Sequence, residues 1–196
     1  MTVRSMARDP RTRRTLAQLT DAMDELLRTQ SLPDINVSEL CRLAGVHRTT
    51  FYKHFSSVTV FTADFYSSLL DDIAVVSEEQ LPEGRVAMVT AYRDALVALL
   101  DHIAENRLRY RRMFAADGDH FFQRVVIDAL SARAEQAHRL LVDRGAVIDL
   151  DAPTAARMVG AACAAALGEW SAQEETDSAT RADQVMAALP SWWPHA

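Results

Sequence analysis

A chain of 196 residues is long enough for one domain or two small ones, and either can enclose a core. With 49% hydrophobic and 24% charged residues, and only six glycines and six prolines, the composition excludes a disordered or collagen-like chain and points to long uninterrupted helices. The net charge of −6 would by itself argue against a nucleic-acid partner, but residues 1–60 carry nine Lys/Arg against six Asp/Glu, and the remaining 136 residues carry 12 against 21. A basic head on an acidic body is drawn to a phosphate backbone at one end and repelled at the other.

In chain order, Leu16, Leu19, Met23, Leu26 and Leu27 form the apolar stripe of an amphipathic helix over residues 11–29. Ser31-Leu32-Pro33-Asp34 breaks it, because Pro33 has no N–H and disfavours helical geometry in Leu32. Asn36, with Glu39 three residues on, is close to a capping box and opens a short second helix that ends at Gly45. A third helix is expected from His47 or Arg48 to Phe55. Ser56-Ser57 caps a fourth, with Phe61, Phe65, Leu69 and Ile73 at four-residue steps as its apolar face and Pro82 to Gly84 as its end. Further helices are expected at about 85–105, 107–116, 119–144, 152–175 and 178–189, broken at Asn106, Asp117-Gly118, Arg144-Gly145 and Thr176-Asp177. No segment carries a convincing strand period, so the expected fold is all-α with about nine helices.

No run approaches the roughly 20 apolar residues of a membrane span, and no signal-peptide pattern follows the basic start, so a cytoplasmic protein is expected. Cys41 and Cys163 sit inside apolar helical patterns and read as buried structural thiols, not a disulfide. No metal or cofactor is expected. His102 with Glu105 has helical spacing, but two such residues are far more often a packing pair than a metal site. The sequence holds no G-x-S-x-G, H-E-x-x-H or Gly-rich phosphate loop, which counts against an enzyme.

The informative stretch is residues 35–57, INVSELCRLAGVHRTTFYKHFSS. Two short helices joined by a three- to four-residue turn, with glycine where φ must be positive, form a helix-turn-helix. Gly45 suits the turn and Cys41 supplies a small residue where the helices cross. Leu40, Ala44, Val46 and Phe51 lock the pair and leave Arg48, Thr49 and Lys53 outward.

The run AGVHRTTFYKHF resembles the DNA-binding signature of the TetR/AcrR family of transcriptional regulators, over about 50 residues. The resemblance implies a three-helix DNA-binding domain at residues 1–56 and a helical effector-binding and dimerisation domain at 57–196. It implies that a homodimer binds double-stranded operator DNA and that a small-molecule effector regulates it. Asn36 and His47 at the two helix starts join the DNA-binding candidates. Arg48 and Thr49 would approach base edges, and Thr50, Tyr52, Lys53 and His54 would hold phosphates, chemistry these side chains can perform. Lys53 is the only lysine in the chain. The family usually has lysine where this chain has Val58. Tyr52 could face DNA or the core, and Arg4, Arg8, Arg11, Arg13 and Arg14 could enter a minor groove or stay solvated.

In the body, the small residues Gly160, Ala161, Ala164 and Gly168, followed by Trp170, suit either a subunit interface or intrachain packing. Tyr92, His102, Tyr110, Met113, Phe114 and Phe122 are candidate lining residues of an apolar effector pocket, each also a candidate for plain core. The rival reading is a helical adaptor that binds protein and not DNA.

Overall fold

The computed structural model describes residues 10–74, 85–115 and 120–193. Among them are nine α-helices and no strand: α1 Pro10–Thr29, α2 Val37–Ala44, α3 Arg48–Tyr52, α4 Val58–Ile73, α5 Arg85–Glu105, α6 Arg107–Phe114, α7 Phe121–Asp143, α8 Ala152–Ala172 and α9 Ser178–Ala188, with a 3-10 turn at Leu32–Asp34. The all-α expectation is met. The expected breaks at Pro82 to Gly84 and at Asp117-Gly118, and the stretch of helix four beyond Ala74, lie outside the described residues. No described helix is long and apolar enough to cross a membrane.

The chain packs as two compact units, Met1–Leu69 with Leu108–Val125, and Leu70–Arg107 with Val126–Ala196. In the first, α1 begins with Pro10, whose missing N–H costs nothing at a helix start, and buries the expected Leu16, Leu19, Met23, Leu26 and Leu27, together with Ala22. α1 packs on α2, and α2 on α3. The carboxylate of Asp24 on α1 accepts hydrogen bonds from the fully buried Tyr66 hydroxyl and from Arg109, whose guanidinium lies 5.1 Å over the Tyr66 ring. Burial, ahead of its neighbours' charges, pushes the Tyr66 phenol well above its ordinary range. A deeply enclosed polar group needs such a partner. Arg112 adds a 2.5 Å bond to the Gln30 carbonyl at the end of α1.

The expected apolar row of α4 is displaced. Phe61 is buried, but Phe65, Leu69 and Ile73 are only half-buried, and the enclosed row is Val58, Thr62, Tyr66, Leu70 and Ala74. Two polar residues sit in it because their polar atoms have partners: Thr62 Oγ1 donates to the Val58 carbonyl at 2.9 Å, and Tyr66 has Asp24. Polarity hid this row from a reading based on hydrophobic spacing.

In the second unit α5 packs against α8 and α9. Arg93 grips Asp183 through two bonds of 2.5 and 3.1 Å, tying α5 to α9, and Arg157 pairs with Asp128 between α8 and α7. Trp170 is the anchor. Fully buried, it donates from Nε1 to the Leu100 carbonyl at 2.9 Å, with the guanidinium carbons of Arg107 and Arg181 at 5.3 and 5.5 Å from its ring. Arg107 also takes the carbonyls of Trp170, Gln173 and Glu175. These bonds satisfy the open end of α8, which stops at Ala172, short of the expected residue 175. Asp151 and Asp177 cap α8 and α9, each accepting from a backbone N–H three residues on at 3.0 Å.

Candidate nucleic-acid interface and internal cavity

The helix-turn-helix is built from α2, its turn and α3. Asn36 Oδ1 accepts from the Glu39 N–H at 3.0 Å, half of the expected capping box. The other half is missing because the Glu39 carboxylate accepts from Gln30 Nε2 at 2.8 Å instead of turning back to residue 36. Gly45 has φ +65°, and the Gly45 and Val46 N–H groups bond the carbonyls of Arg42 and Cys41, the two-bond Schellman ending of a helix. A side chain at Gly45 would meet open space, so the backbone angle alone calls for glycine there. Burial raises the Cys41 thiol pKa, an effect opposed by the charge of Arg48, and leaves it a small apolar contact at the crossing.

α3 is shorter than expected. It ends at Tyr52, and Lys53 and His54 form a turn, because the chain must leave the helix axis to start α4 at Val58. Phe51 and Phe55 are almost fully buried and meet Phe61 at 6.1 and 5.0 Å between ring centres. This cluster fixes the helix and turns His47, Arg48, Thr49, Tyr52 and Lys53 outward, with Thr50 and His54 half-buried. Tyr52 is 50% exposed, which favours the outward alternative over a core tyrosine. His54 keeps its Nδ1 enclosed without a hydrogen-bond partner. Val58, where the resembling family has lysine, is buried at the start of α4. Arg11, Arg13 and Arg14 lie exposed on α1; Arg4 and Arg8 lie outside the described residues.

One contribution was missed from the sequence. A shallow concavity between α2 and α3 is lined by Ser38 and Arg42 together with His47, Arg48 and Thr49. Their four-residue spacing on the polar face of α2 was the available signal, and it is too common among solvated helix faces to stand alone.

The second unit holds a partly open cavity of about 80 Å³. Tyr92 and Leu99 of α5, Arg133 of α7, Cys163 of α8, Met186 of α9 and Trp193 beyond it are among its walls. Burial pushes the Cys163 thiol up to about 12, so it is a neutral wall. Of the six candidate lining residues only Tyr92 is there. Tyr110, Met113 and Phe122 are buried in the first unit, where Tyr110 meets Tyr66 and Phe114 meets Phe122 at 6.2 and 5.1 Å between ring centres. His102 is half-buried on α5 outside the cavity wall.

The small residues of α8 divide between two faces. Gly160, Ala164 and Trp170 are enclosed within the chain itself, and a methyl group at Gly160 would lie 2.6 Å from the Ser131 backbone nitrogen. Those three therefore carry intrachain packing, the second of the two sequence alternatives. Ala161 and Gly168 are half-covered, while Met158, Ala162, Ala165 and Glu169 are exposed.

No protein-family model and no curated protein sequence matches the chain. Among solved structures, the TetR-family repressor FadR of Thermus thermophilus, determined with lauroyl-CoA, superposes with a TM-score of 0.66 at 19% identity, over 89% of this chain and 92% of that one. The fold is that of TetR-family regulators. The dihydroxyacetone kinase operon activator DhaS gives 0.62 at 18% identity over 89% and 93% of the two chains. RolR in complex with resorcinol gives 0.60 at 16% over 90% and 88%. FadR is a transcriptional repressor and DhaS an operon activator, and FadR and RolR each hold a small molecule.

Proposed function

We propose that this chain is a TetR-type transcriptional repressor, not an enzyme, that binds a palindromic operator as a homodimer and is released by a small-molecule effector. The observation that carries it is the outward face of α3, Arg48, Thr49, Tyr52 and Lys53, held on α2 by the Gly45 turn and by buried Phe51. Residues 1–56 carry DNA binding and 57–196 carry effector binding and dimerisation. Arg48 and Thr49 read base edges, and Asn36, His47, Thr50, Tyr52, Lys53 and His54 approach phosphates, joined by Ser38 and Arg42 of the shared concavity. The face of α8 that carries exposed Met158, Ala162 and Ala165 beside half-covered Ala161 and Gly168 meets its copy, since one short recognition helix needs a second half-site for affinity.

Effector control requires a ligand that prefers the conformation unable to match the half-site spacing, because equal affinity for both states shifts nothing. α4 runs directly on from the DNA-binding segment and is the element through which such a preference is transmitted. A hundredfold preference supplies about 2.7 kcal/mol.

The test is selection of bound DNA from a random pool, followed by titration of the selected site with the parent and with Arg48→Ala. The variant should lose about 1–3 kcal/mol and relax one base position in each half-site. Equal affinity of the two proteins for that site would overturn the assignment of α3.

A further inference from the structure

We propose, on the reading that the cavity of the second unit holds the effector, that Trp193 is the hydrogen-bond donor that selects it. The effector class is a small uncharged aromatic compound bearing one acceptor oxygen. Trp193 lines the cavity, is 5% exposed, and its Nε1 has no hydrogen-bond partner. Buried indole N–H groups usually find a partner, because leaving one unmet costs its full desolvation. Trp170 in the same unit obeys the rule with its bond to the Leu100 carbonyl. Nε1 is itself closed off, so a ligand oxygen reaches it only when the wall that carries Trp193 shifts, and it then supplies what the chain does not.

The rest of the cavity narrows the class. Leu96, Leu99, Leu140, Val159 and Met186 make it largely apolar, with exposed Gln136 as a polar residue of the wall, and the rings of Tyr92 and Trp193, 5.0 Å apart and inclined at 54°, offer aromatic faces. Arg133 also reaches the wall, where its Nη1 donates to the Ala74 carbonyl at 2.8 Å. At about 80 Å³ the space is smaller than the roughly 150 Å³ cavity known to take up benzene, so one wall must give way to a ring. The wall after α9 lies outside any helix. Leu189 and Trp193 belong to no helix there, and a 2.8 Å bond from the backbone N–H of Trp193 to the Pro190 carbonyl closes their turn.

The experiment compares two ligands of one shape on the whole protein: acetophenone, with a carbonyl oxygen, and α-methylstyrene, in which a methylene group replaces that oxygen. The parent should bind acetophenone three- to tenfold more tightly by titration calorimetry, the worth of one net hydrogen bond. Trp193→Phe, which keeps an apolar ring, should bring that ratio close to one. Ala137→Leu, which fills the cavity, should remove binding of both. In the unaltered protein the Trp193 indole N–H resonance should move with acetophenone and stay in place with α-methylstyrene, a readout independent of how any variant folds. A preference that survives in Trp193→Phe, or an indole resonance unmoved by bound acetophenone, overturns the donor role and leaves the cavity reading standing. Undiminished binding by Ala137→Leu, or no binding of either compound by the parent, overturns both.

Discussion

Trp170 and Gly45 illustrate two ways in which one residue can be hard to replace. Trp170 combines full burial, one hydrogen bond and two flanking guanidinium groups. Truncation to alanine should cost about 3–5 kcal/mol through the cavity it leaves, and Trp170→Phe a smaller amount set by the lost indole hydrogen bond and the smaller ring. Urea unfolding monitored by circular dichroism gives both values. At Gly45 nothing surrounds the missing Cβ, so Gly45→Ala should lose only the cost of placing an L-residue at φ +65°, about 1–2 kcal/mol. A loss several times larger in the same unfolding experiment would mean that the turn is crowded after all. Gly45 was legible in the sequence because its requirement is local. Trp170 was not, since spacing tells which residues share a helix face and leaves open whether that face meets the same chain or another.

At the scale of the helix, α8 makes the same ambiguity testable. Ala164 and Ala165 are neighbours, one fully enclosed and one exposed. Ala164→Arg places an unpaired charge in the core and should unfold the protein, whereas Ala165→Arg should leave the helical signal and melting temperature near the parent's. On the proposed dimer, Ala165→Arg should sediment as a monomer and lose operator binding; an unchanged dimer mass would move the interface off this face. The helix starts are also sensitive to acid. Hydrogen bonds from the Thr154 and Thr180 N–H groups hold Asp151 and Asp177 below the ordinary carboxylate range. A depressed folded-state pKa contributes stability that is full above the unfolded value, near 3.9, and is lost as pH falls through the lower folded one. Asp177→Asn retains the cap but cannot titrate, so its melting temperature should fall less than the parent's on going from pH 6 to pH 3. A parallel decline in the two proteins would remove this cap from the acid response. Helix bounds were legible wherever a cap or a glycine marks them, as at Asn36, Gly45 and Asp177. The enclosed row of α4 was not, because Thr62 and Tyr66 become core residues only through partners, Val58 and Asp24, that spacing does not reveal.

For the molecule as a whole, on the proposed DNA binding, the charge asymmetry between residues 1–60 and the remainder sets how binding responds to salt. Each phosphate neutralised releases counterions, so Lys53→Ala should weaken binding to all sequences alike and reduce the slope of log affinity against log salt by about one. A parental slope in that variant would take Lys53 off the backbone. The helix-turn-helix was readable because it occupies one contiguous stretch, residues 35–57. The cavity draws its walls from residues between Ala74 and Trp193, and only Tyr92 among the expected residues reaches it. Aromatic content could not separate Tyr92 from Tyr110 and Phe122, which the fold sends to a different core.

The brevity of α3 bears on how such a protein diverges. Five residues are far too few for a helix to persist by its own propensity. Its place is dictated from beneath by Phe51 and Phe55, while Arg48, Thr49 and Lys53 are exposed and half-exposed Tyr52 adds one edge contact with Phe51 at 5.7 Å between ring centres. Exposed substitutions of this kind usually change stability by no more than about 0.5 kcal/mol. On the proposed readout, duplicated copies of the gene can therefore exchange these four letters and drift toward new target sites without first acquiring stabilising changes elsewhere.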